Sequence, residues 1–462
     1  MTERDKRIVP RAPGVKFADL LRAYTKHPVP DYLSIDTNTW LGDHDIPIDR
    51  YIDRKYHELE KERLWKKVWQ MACREEEIPD VGDAYVYDIT DISILVVRTA
   101  ADRIKAYYNA CPHQGRLLRD RDCHNTELRC PFHGFCWHID GALKSIPSKW
   151  DFPQIDEKNF NLREVAVGLW GGFVFINMDE AAPSLEDYIG SMPIHWERFP
   201  LERRYIAAHI AKIMDANWKT CQETFMEAFH NLTAHPQFGV YIGAAMDAGQ
   251  YDIFENYSRA LGQGLPEIPL AYKPTLEERL ASMPWLGDPE ALERFKANPP
   301  ATQETFFASQ NSARRERLRE TIGDDVDQLT DFEVTGGGYF TLFPNFHPWW
   351  AFDEITYRFR PYKDEHERCI METYLLRPFK GERPKPAAIH WLNADQSHLE
   401  APEMGELARI FDQDEFNIPK VQRGMHTLRL YKPGLTLGLY QAGKIRHFHK
   451  LYERYLGLDP PS

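Results

Sequence analysis

Two Cys–His pairs at short, matched spacings constrain the fold of this chain more than any other feature of its sequence. Cys111 precedes His113 by two positions, and Cys130 precedes His133 by three, with sixteen residues between the pairs. Each pair is framed by proline and glycine, in the segments CPHQG and CPFHG. Proline fixes the local chain direction, and glycine lets the backbone come close enough for N–H groups to point at sulfur. The pattern therefore predicts two similar loops that together hold a metal centre.

The ligand types indicate which metal centre these loops hold. Two thiolates can bind one iron while two imidazoles bind a second, which is the ligand set of a Rieske [2Fe–2S] centre. A zinc site built from the same four residues is an alternative, but zinc-finger spacings pair Cys with Cys and His with His. Coincidence among seven cysteines and eighteen histidines is disfavoured by the matched loops. Cys123 and Cys136 lie nearby, fit no ligand position and are interpreted as structural.

Composition excludes several other classes of protein. The 462-residue chain, with 43% hydrophobic and 27% charged residues, is typical of a globular protein of two or three domains. Its net charge of −13 argues against nucleic-acid binding, which needs clustered Lys and Arg. Its seven scattered cysteines do not form a disulfide framework. No segment approaches the ~20 apolar residues of a membrane-spanning helix, and MTERDKRIVPR lacks a signal-peptide core, so we expect a cytoplasmic protein without membrane contact.

Hydrophobic patterning places the two loops inside a β-rich part of the chain. An apolar stripe before that part predicts a helix through Tyr56, Leu59, Leu64, Trp65 and Val68. Strand-like sequences then run from Gly82 to Val174 and include AYVYDITDISILVVR and LWGGFVFIN. Further strands are predicted in YFTLFPNF, EITYRFRPY and CIMETYLLRPF, and helices from about Pro402. We therefore expect an α+β protein in which a small β domain is inserted into a larger mixed domain.

Another helix is predicted from Asp215, as its N-cap, to Leu232. Helical spacing gives it one core-facing stripe, formed by Trp218, Cys221, Phe225, Phe229 and Leu232. The opposite face includes Glu223, Glu227 and His230, which by periodicity alone indicates a solvated surface.

The run from Glu227 to Pro236 changes that interpretation. His230 and His235 are five residues apart, about 140° around a helix, so they cannot share a metal while both remain helical. Pro236 disfavours a helical conformation at His235, which lets both imidazoles converge on one ion. Two imidazoles and a carboxylate that leave positions open suit an iron(II) that binds dioxygen.

At this point the sequence resembles a known family. Asn217-Trp218-Lys219, followed by Glu227-x-x-His230-x-x-x-x-His235, resembles the catalytic-domain signature of Rieske ring-hydroxylating oxygenases. The Cys–His loops resemble the same family, in the expected order, over roughly residues 55 to 425. The resemblance implies a β-rich Rieske domain inserted into a helix-grip catalytic domain with an antiparallel sheet. The implied boundaries are 1–64 for an N-terminal segment that packs with the catalytic domain, 65–180 for the Rieske domain and 181–462 for the catalytic domain.

The resemblance also implies which residues bind the cofactors. The implied ligands of the [2Fe–2S] cluster are Cys111, His113, Cys130 and His133. Those of one mononuclear Fe(II) are His230, His235 and an aspartate far downstream. The matching stretch contains two candidates, of which Asp414 is assigned and Asp412 is the competitor. An ordinary acidic helix surface is the alternative for both.

Glu227 is the implied catalytic residue. In the family, an acidic residue at this position bridges the iron site to the Rieske domain of a neighbouring subunit, which makes His133 its expected partner. Many members carry Asp there, and Glu is longer by one methylene. Gln114, Phe132 and Phe135 also stand where Arg, Tyr and Trp are frequent, but these departures remove no ligand.

The implied activity is that of a terminal oxygenase. It uses dioxygen and electrons from NAD(P)H, delivered by a separate reductase with or without a ferredoxin, to hydroxylate an aromatic or similarly hydrophobic substrate. The leading expectation is cis-dihydroxylation, and the alternative is monooxygenation, including O- or N-demethylation, because fold does not decide function. A Rieske electron carrier is a remote alternative, since the chain has a second metal motif. The family implies a homotrimer, with or without a β subunit.

Two segments bear on the substrate without identifying it. YFTLFPNFHPWW, from Tyr339 to Trp350, suits either a pocket lining or plain core packing. Residues from about 261 to 330 form an expected insertion, which suits either a lid over the entrance or subunit contacts.

Overall fold

The computed structural model of the chain describes residues 10–12, 16–25, 27–37, 39–235, 249–263, 293, 296–298 and 303–458. Numbered along these residues, the strands are β1 (Ile46–Pro47), β2 (Gln70–Arg74), β3 (Asp83–Ile89), β4 (Ile92–Ala100), β5 (Arg103–Tyr108), β6 (Cys123–His124), β7 (Leu128–Arg129), β8 (Cys136–Trp137), β9 (Leu143–Ser145), β10 (Glu164–Trp170), β11 (Phe173–Asn177), β12 (Arg204–Met214), β13 (Gln250–Ile253), β14 (Tyr257–Gln263), β15 (Gly337–Leu342), β16 (Phe346–Pro348), β17 (Ile355–Tyr362), β18 (Glu365–Pro378), β19 (Ile389–Leu392) and β20 (Gly434–Leu435).

Helices lie mainly at the two ends of the chain. The described α-helices are α1 (Phe17–Tyr24), α2 (Asp31–Ser34), α3 (Asp49–Ile52), α4 (Arg54–Glu60), α5 (Leu185–Ile189), α6 (Trp218–Thr224), α7 (Asn231–Ala234), α8 (Gln303–Ile322), α9 (Asp331–Thr335), α10 (Leu407–Leu428) and α11 (Gly443–Leu456). A π-helical turn, Lys61–Trp65, continues α4, and together they form the helix predicted before the β-rich part. In the part of the chain that the structure describes, no helix combines the length and the apolar character needed to cross a membrane.

A seven-stranded sheet and a three-stranded sheet form the β-rich part. Their strand orders are β2-β11-β10-β5-β4-β3-β6 and β7-β8-β9. The sequences AYVYDITDISILVVR and LWGGFVFIN form the antiparallel pairs β3–β4 and β10–β11, as their patterning predicts. The first Cys–His pair lies in the loop after β5, and the second lies in the connection between β7 and β8. Both loops therefore project from strands that share one small apolar core.

An eight-stranded sheet forms the larger part of the molecule. Its order is β13-β14-β15-β16-β17-β18-β12-β19, and its pairings are antiparallel except for β12 with β19. α6 packs on β17, β18 and α10, and α11 packs on β13 and β14. A curved antiparallel sheet holding helices in this way is the helix-grip arrangement expected from the sequence, so the α+β prediction is confirmed.

The segment Asn217-Trp218-Lys219 anchors α6 in the core. The Asn217 side chain caps the helix by accepting the N–H of Lys219. The Trp218 indole donates to Glu60 at 2.8 Å, and the Lys219 ammonium pairs with the same carboxylate. Tyr452 of α11 also donates to Glu60, at 2.7 Å. One buried carboxylate thus ties α6 to α4 and α11.

The predicted continuous helix from Asp215 to Leu232 is wrong in three respects. Asn217, not Asp215, is the N-cap, and the Asp215 carboxylate instead accepts from Arg368. The helix ends at Thr224 and resumes as α7 only at Asn231. Phe229, expected in the core, is 62% exposed.

The Glu227 carboxylate explains this break. It accepts the backbone N–H groups of Phe229 and His230, which gives the chain a local alternative to helical hydrogen bonding. Glu223, expected on a solvated face, is buried and bonded to Tyr51 and His449. Pro236, expected to end the helix, lies outside the described residues.

About half of the insertion expected from about 261 to 330 lies outside the described residues. Its first residues, Leu261 to Gln263, belong to β14. Its later part forms α8, followed by a 3₁₀ turn, Gly323–Gln328, that leads to α9. Its roles as a lid or a subunit contact stay predictions.

Candidate metal centres

The two Cys–His loops share one backbone pattern. Each cysteine N–H donates to the carbonyl five residues ahead, at 2.8 Å, and each cysteine carbonyl accepts from the glycine four residues ahead. Those glycines, Gly115 and Gly134, have φ angles of 78° and 79°, a conformation that glycine adopts without strain. The sequence-based expectation of two similar loops is therefore met in the backbone itself.

In these loops the cysteine side chains lie inside the protein and the histidine side chains lie nearer the surface. Cys111 and Cys130 are buried, whereas His133 is exposed and its ring lies 4.7 Å from that of His113. The His113 ring stacks on Phe135 at 4.5 Å. An inner pair of thiols and an outer pair of imidazoles fit a cluster with one iron bound by sulfur and the other by nitrogen.

The surroundings of Cys111 also fit a metal. Burial raises the pKa of the Cys111 thiol to about 11, while backbone N–H groups of His113 and Gln114 oppose the shift. A thiolate at this position therefore needs a positive charge, which iron supplies. Within the described residues, no three potential ligand atoms of Cys111, His113, Cys130 and His133 lie within 4.8 Å of one another, and this spread does not suit one shared zinc ion.

The second site brings together His230, His235 and Asp414. The Nε2 atoms of His235 and His230 lie 2.9 and 3.4 Å from the same oxygen, Oδ1 of Asp414. The three potential ligand atoms lie within 4.8 Å of one another. Two imidazoles and one carboxylate on one side of an ion match the set expected for a non-haem iron(II).

Each of these imidazoles is held through its other nitrogen. His230 Nδ1 donates to Glu227 Oε1 at 2.9 Å, and His235 Nδ1 donates to Gln413 Oε1 at 2.7 Å. Metal-binding histidines need such acceptors, because they fix the ring so that Nε2 faces the ion. Glu227 was predicted as a functional residue, whereas Gln413 was missed.

Charge at this site also suits a cation. Burial alone would lower the pKa of His230, but the carboxylates of Asp414 and Glu227 raise it to about 9. Burial would raise the pKa of Asp414, and the two histidines instead lower it. The site therefore holds a positive charge beside a carboxylate, and a metal ion can take the place of the proton.

The competitor, Asp412, lies in a different cluster. It accepts the backbone N–H of His398 at 2.8 Å, and His398 Nδ1 lies 3.2 Å from Glu415. Lys212 Nζ is 3.1 Å from Glu415, so the lysine ammonium already supplies a positive charge to the cluster of His398, Asp412 and Glu415. The structure thus places Asp414, and not Asp412, beside the two histidines.

Aromatic rings pack together in the core beside Asp414. Phe411, three residues before Asp414 on α10, lies 5.7 Å from the Tyr357 ring. Phe225, at the end of α6, lies 5.0 Å from Tyr357 and 5.7 Å from Phe411. The site therefore has a wall of ring faces and edges next to its potential iron ligands.

Comparison with known families agrees with these two sites. The model of the Rieske [2Fe–2S] domain matches residues 68–156, and that of the ring hydroxylating alpha subunit (catalytic domain) matches residues 197–458. The second match alone covers more than half of the chain. The chain therefore belongs to the ring-hydroxylating oxygenase alpha subunits with a Rieske domain. Its cofactors are those of the family, a Rieske [2Fe–2S] cluster and a non-haem iron, and this membership argues against the remote electron-carrier alternative.

Individual relatives differ in their reactions. The alpha subunit of 2-aminobenzenesulfonate 2,3-dioxygenase from Alcaligenes sp is 31% identical over 187 residues, which are 39% of this chain and 47% of that protein. The oxygenase subunit of carnitine monooxygenase from Escherichia coli is 31% identical over 196 residues, 42% of this chain and 52% of that protein. The chain thus aligns with about half the length of these curated relatives.

A solved structure extends the likeness of fold. A quaternary ammonium Rieske monooxygenase superposes with a TM-score of 0.62 at 19% identity, over 89% of this chain and 95% of that chain. At this identity the superposition shows a shared fold and leaves the reaction to be argued from the site.

Proposed function

We propose that this chain is the oxygenase component of a Rieske monooxygenase, which inserts one atom of dioxygen into a C–H bond next to nitrogen in a small substrate. The observation that carries the proposal is the wall formed by Phe225, Tyr357 and Phe411 beside Asp414. Aromatic faces attract ammonium groups, by about 2 kcal/mol or more where water is excluded. An N-alkyl group held there has its carbon next to the potential iron ligands.

The two named relatives support this choice. Carnitine and 2-aminobenzenesulfonate, after which these two enzymes are named, both carry a nitrogen and an acidic group. The carnitine enzyme is a monooxygenase, and so is the quaternary ammonium enzyme that shares the fold. The sequence-based alternative of monooxygenation or N-demethylation is therefore better supported than the leading expectation of aromatic cis-dihydroxylation.

The residues of the chain have distinct roles in this proposal. Cys111, His113, Cys130 and His133 hold the cluster, and His230, His235 and Asp414 hold the iron. When bound, the cluster supplies single electrons and the iron supplies the position where dioxygen is activated. Glu227 and Gln413 keep the two imidazoles oriented by accepting their Nδ1 protons.

Glu227 has a further role across a subunit boundary. Its carboxylate holds His230, and its side chain is 16% exposed, so it is open to a neighbouring molecule. The exposed His133 is the expected partner of Glu227 in a homotrimer, with or without a β subunit. Electrons reach the cluster from NAD(P)H through a separate reductase, with or without a ferredoxin. We retain the boundaries 65–180 and 181–462 for the Rieske and catalytic domains as part of this proposal.

The test is turnover of the iron-loaded protein with a surrogate reductase under isotopically labelled dioxygen. The substrate panel contains N-methylated amino acids, betaines and aminobenzene acids. We expect three irons per chain and an aldehyde released in step with substrate consumption, with no product carrying two labelled oxygens. A product with two labelled oxygens would instead establish cis-dihydroxylation, the second candidate, which the likeness to 2-aminobenzenesulfonate 2,3-dioxygenase favours.

A further inference from the structure

A buried lysine lies on the inner side of the eight-stranded sheet. Lys444, on α11, is fully buried, and its ammonium donates to the carbonyl of Tyr339 at 3.0 Å. Nζ also lies 4.0 Å from the centre of the Tyr339 ring. Among the described residues no carboxylate pairs with it, and burial holds the pKa of Lys444 well below its ordinary value. Burial without a counter-charge favours the neutral amine, and a bound anion would stabilise the charged form, so Lys444 suits an anionic partner.

Hydrogen-bond donors follow Lys444 along the sheet: Tyr339 contacts Lys444 directly, Trp349 pairs with Tyr339, and Gln222 contacts His347. Twelve buried side-chain polar atoms in the described part of the chain have no hydrogen-bond partner, and three of them, Gln222 Nε2, Tyr339 OH and Trp349 Nε1, belong to this face of the sheet or to the helix that contacts it. Amide N–H and indole N–H groups donate only, and a phenol hydroxyl donates readily. A group of donors beside an ammonium, with the acceptors missing, is the complement of an anion.

The direction of the Gln222 amide is set by its neighbours. His347 Nδ1 lies 3.0 Å from the Thr341 hydroxyl, and His347 Nε2 lies 3.2 Å from Gln222 Oε1. Since burial keeps His347 uncharged, a hydroxyl that donates to Nδ1 leaves the proton on Nε2, which donates to the amide oxygen. The amide NH₂ group of Gln222 is thereby turned away from His347 and left as a donor.

These side chains and the iron-site wall share one face of the sheet. Tyr339 pairs with Trp349, and His347 pairs with Tyr357, across neighbouring strands. Cross-strand partners and residues two apart on one strand point to the same side, so all four side chains project together. The ring centres of Tyr339 and Trp349 are 5.5 Å apart, and those of Trp349 and Tyr357 are 6.4 Å apart. Because Tyr357 contacts Phe411 near Asp414, a continuous row of rings joins Lys444 to the iron site.

We propose that Lys444, with the donors of Gln222, Tyr339 and Trp349, binds an acidic group of the substrate, a carboxylate or a sulfonate. The substrate class is then a small organic acid, anchored at Lys444 by its anion and extending along the row of rings toward the iron ligands. This inference rests on the proposed function of the same site, because it assumes that the substrate occupies this face of the sheet.

The test compares acids with their uncharged counterparts. Binding of glycine betaine, 2-aminobenzoate and 2-aminobenzenesulfonate is measured by calorimetry on the intact, iron-loaded protein, beside the amide of each acid. We expect at least one acid to bind more tightly than its amide. Lys444→Met should weaken the binding of that acid by about 10- to 100-fold, the range expected for hydrogen bonds to charged groups, and leave the binding of the amide unchanged. The carboxylate and sulfonate probes distinguish the two kinds of acid.

Two controls keep the result specific. Lys450→Met makes the same substitution at an exposed lysine of the same helix, so it should leave acid binding at the wild-type level. Tyr339→Phe removes one donor without changing charge, and it should weaken the binding of the acid by a smaller factor. It also provides a second variant if Lys444→Met fails to fold.

Two binding results would overturn the inference: no acid binds better than its amide, or Lys444→Met binds acids as the wild type does. Single-label oxidation of an uncharged substrate with full efficiency would remove the inference and leave the proposed monooxygenase. If acids bind through Lys444 but yield doubly labelled products, the inference about Lys444 would stand and the proposed monooxygenase activity would be wrong.

Discussion

Gln413 Oε1 lies 2.7 Å from His235 Nδ1, so the residue immediately before Asp414 orients the imidazole that Asp414 contacts. α10 therefore contributes both a potential iron ligand and the hydrogen bond that aims another. Replacing Gln413 by Leu should lower iron affinity by about 10- to 100-fold, since outer acceptors of metal-binding histidines contribute on that scale. Iron retention against a chelator measures this effect. Asn417→Leu, an exposed change on the same helix, is the matched control and should retain iron normally.

Replacing Glu227 with Gln should separate metal binding from electron transfer. The amide oxygen can still accept from His230 Nδ1, so both metal centres are expected to stay filled. Loss of the negative charge should slow electron transfer between His133 and the neighbouring iron site. The expected factor is about 10-fold or more, because one to two hydrogen bonds to a charged group would be lost. Single-turnover product formation is the measurement, and a wild-type rate would remove the bridging role.

Glu223 should make the stability of the protein depend on pH. Burial raises the pKa of Glu223 to about 8, although Tyr51 and Lys219 partly oppose the shift. The folded protein then holds a proton that the unfolded chain releases near pH 4.5, so this stabilisation is complete below that pH and is lost as pH rises through about 8. Glu223→Gln should remove this dependence. The free energy of unfolding of the variant relative to the wild type should therefore be about 1–3 kcal/mol higher at pH 8.5 than at pH 5.

Denaturant unfolding at the two pH values measures the difference for Glu223→Gln. Glu186→Gln, an exposed substitution on α5, should follow the wild-type pH profile. Parallel profiles for the wild type and Glu223→Gln would contradict the assignment of a neutral carboxyl.

Lys219 should contribute strongly to stability because its partner is buried. Glu60 and Lys219 are both fully buried, and Lys219→Met would leave the Glu60 carboxylate without its counter-charge. A loss of about 3–5 kcal/mol is expected for breaking such a pair from one side. The double variant Lys219→Met/Glu60→Gln should recover part of that loss, and equal stability of the single and double variants would show that the pair is not coupled.

Much of the fold and both sets of potential ligands could be predicted because their determinants are local or paired in sequence. The loops around Cys111 and Cys130 depend on a glycine four residues ahead, which the sequence displays directly. The strands β3, β4, β10 and β11 follow from segments rich in Val, Ile and aromatic residues. Asp414 was separated from Asp412 only by resemblance, since helical spacing alone does not say which carboxylate faces the histidines.

Other features depend on contacts between distant segments. Helix periodicity placed Phe229 in the core, but the Glu227 carboxylate bonded the backbone ahead of it and ended the helix. Glu223 was expected in solvent because its partners, Tyr51 and His449, come from opposite ends of the chain. Gln413 and Lys444 belong to no motif, and their roles become visible only when α10 and α11 lie against the sheet.

The pairing of Tyr339 with Trp349 and of His347 with Tyr357 has a consequence for how such enzymes diverge. Because side chains alternate between the two sides of a strand, a slip of one residue in β15 or β16 would turn the inward row outward. The connection between these strands, from Phe343 to Asn345, is three residues long, so one insertion there would suffice. Two chains with identical iron and cluster ligands can therefore present different side chains on this face of the sheet, depending on the strand alignment in this hairpin.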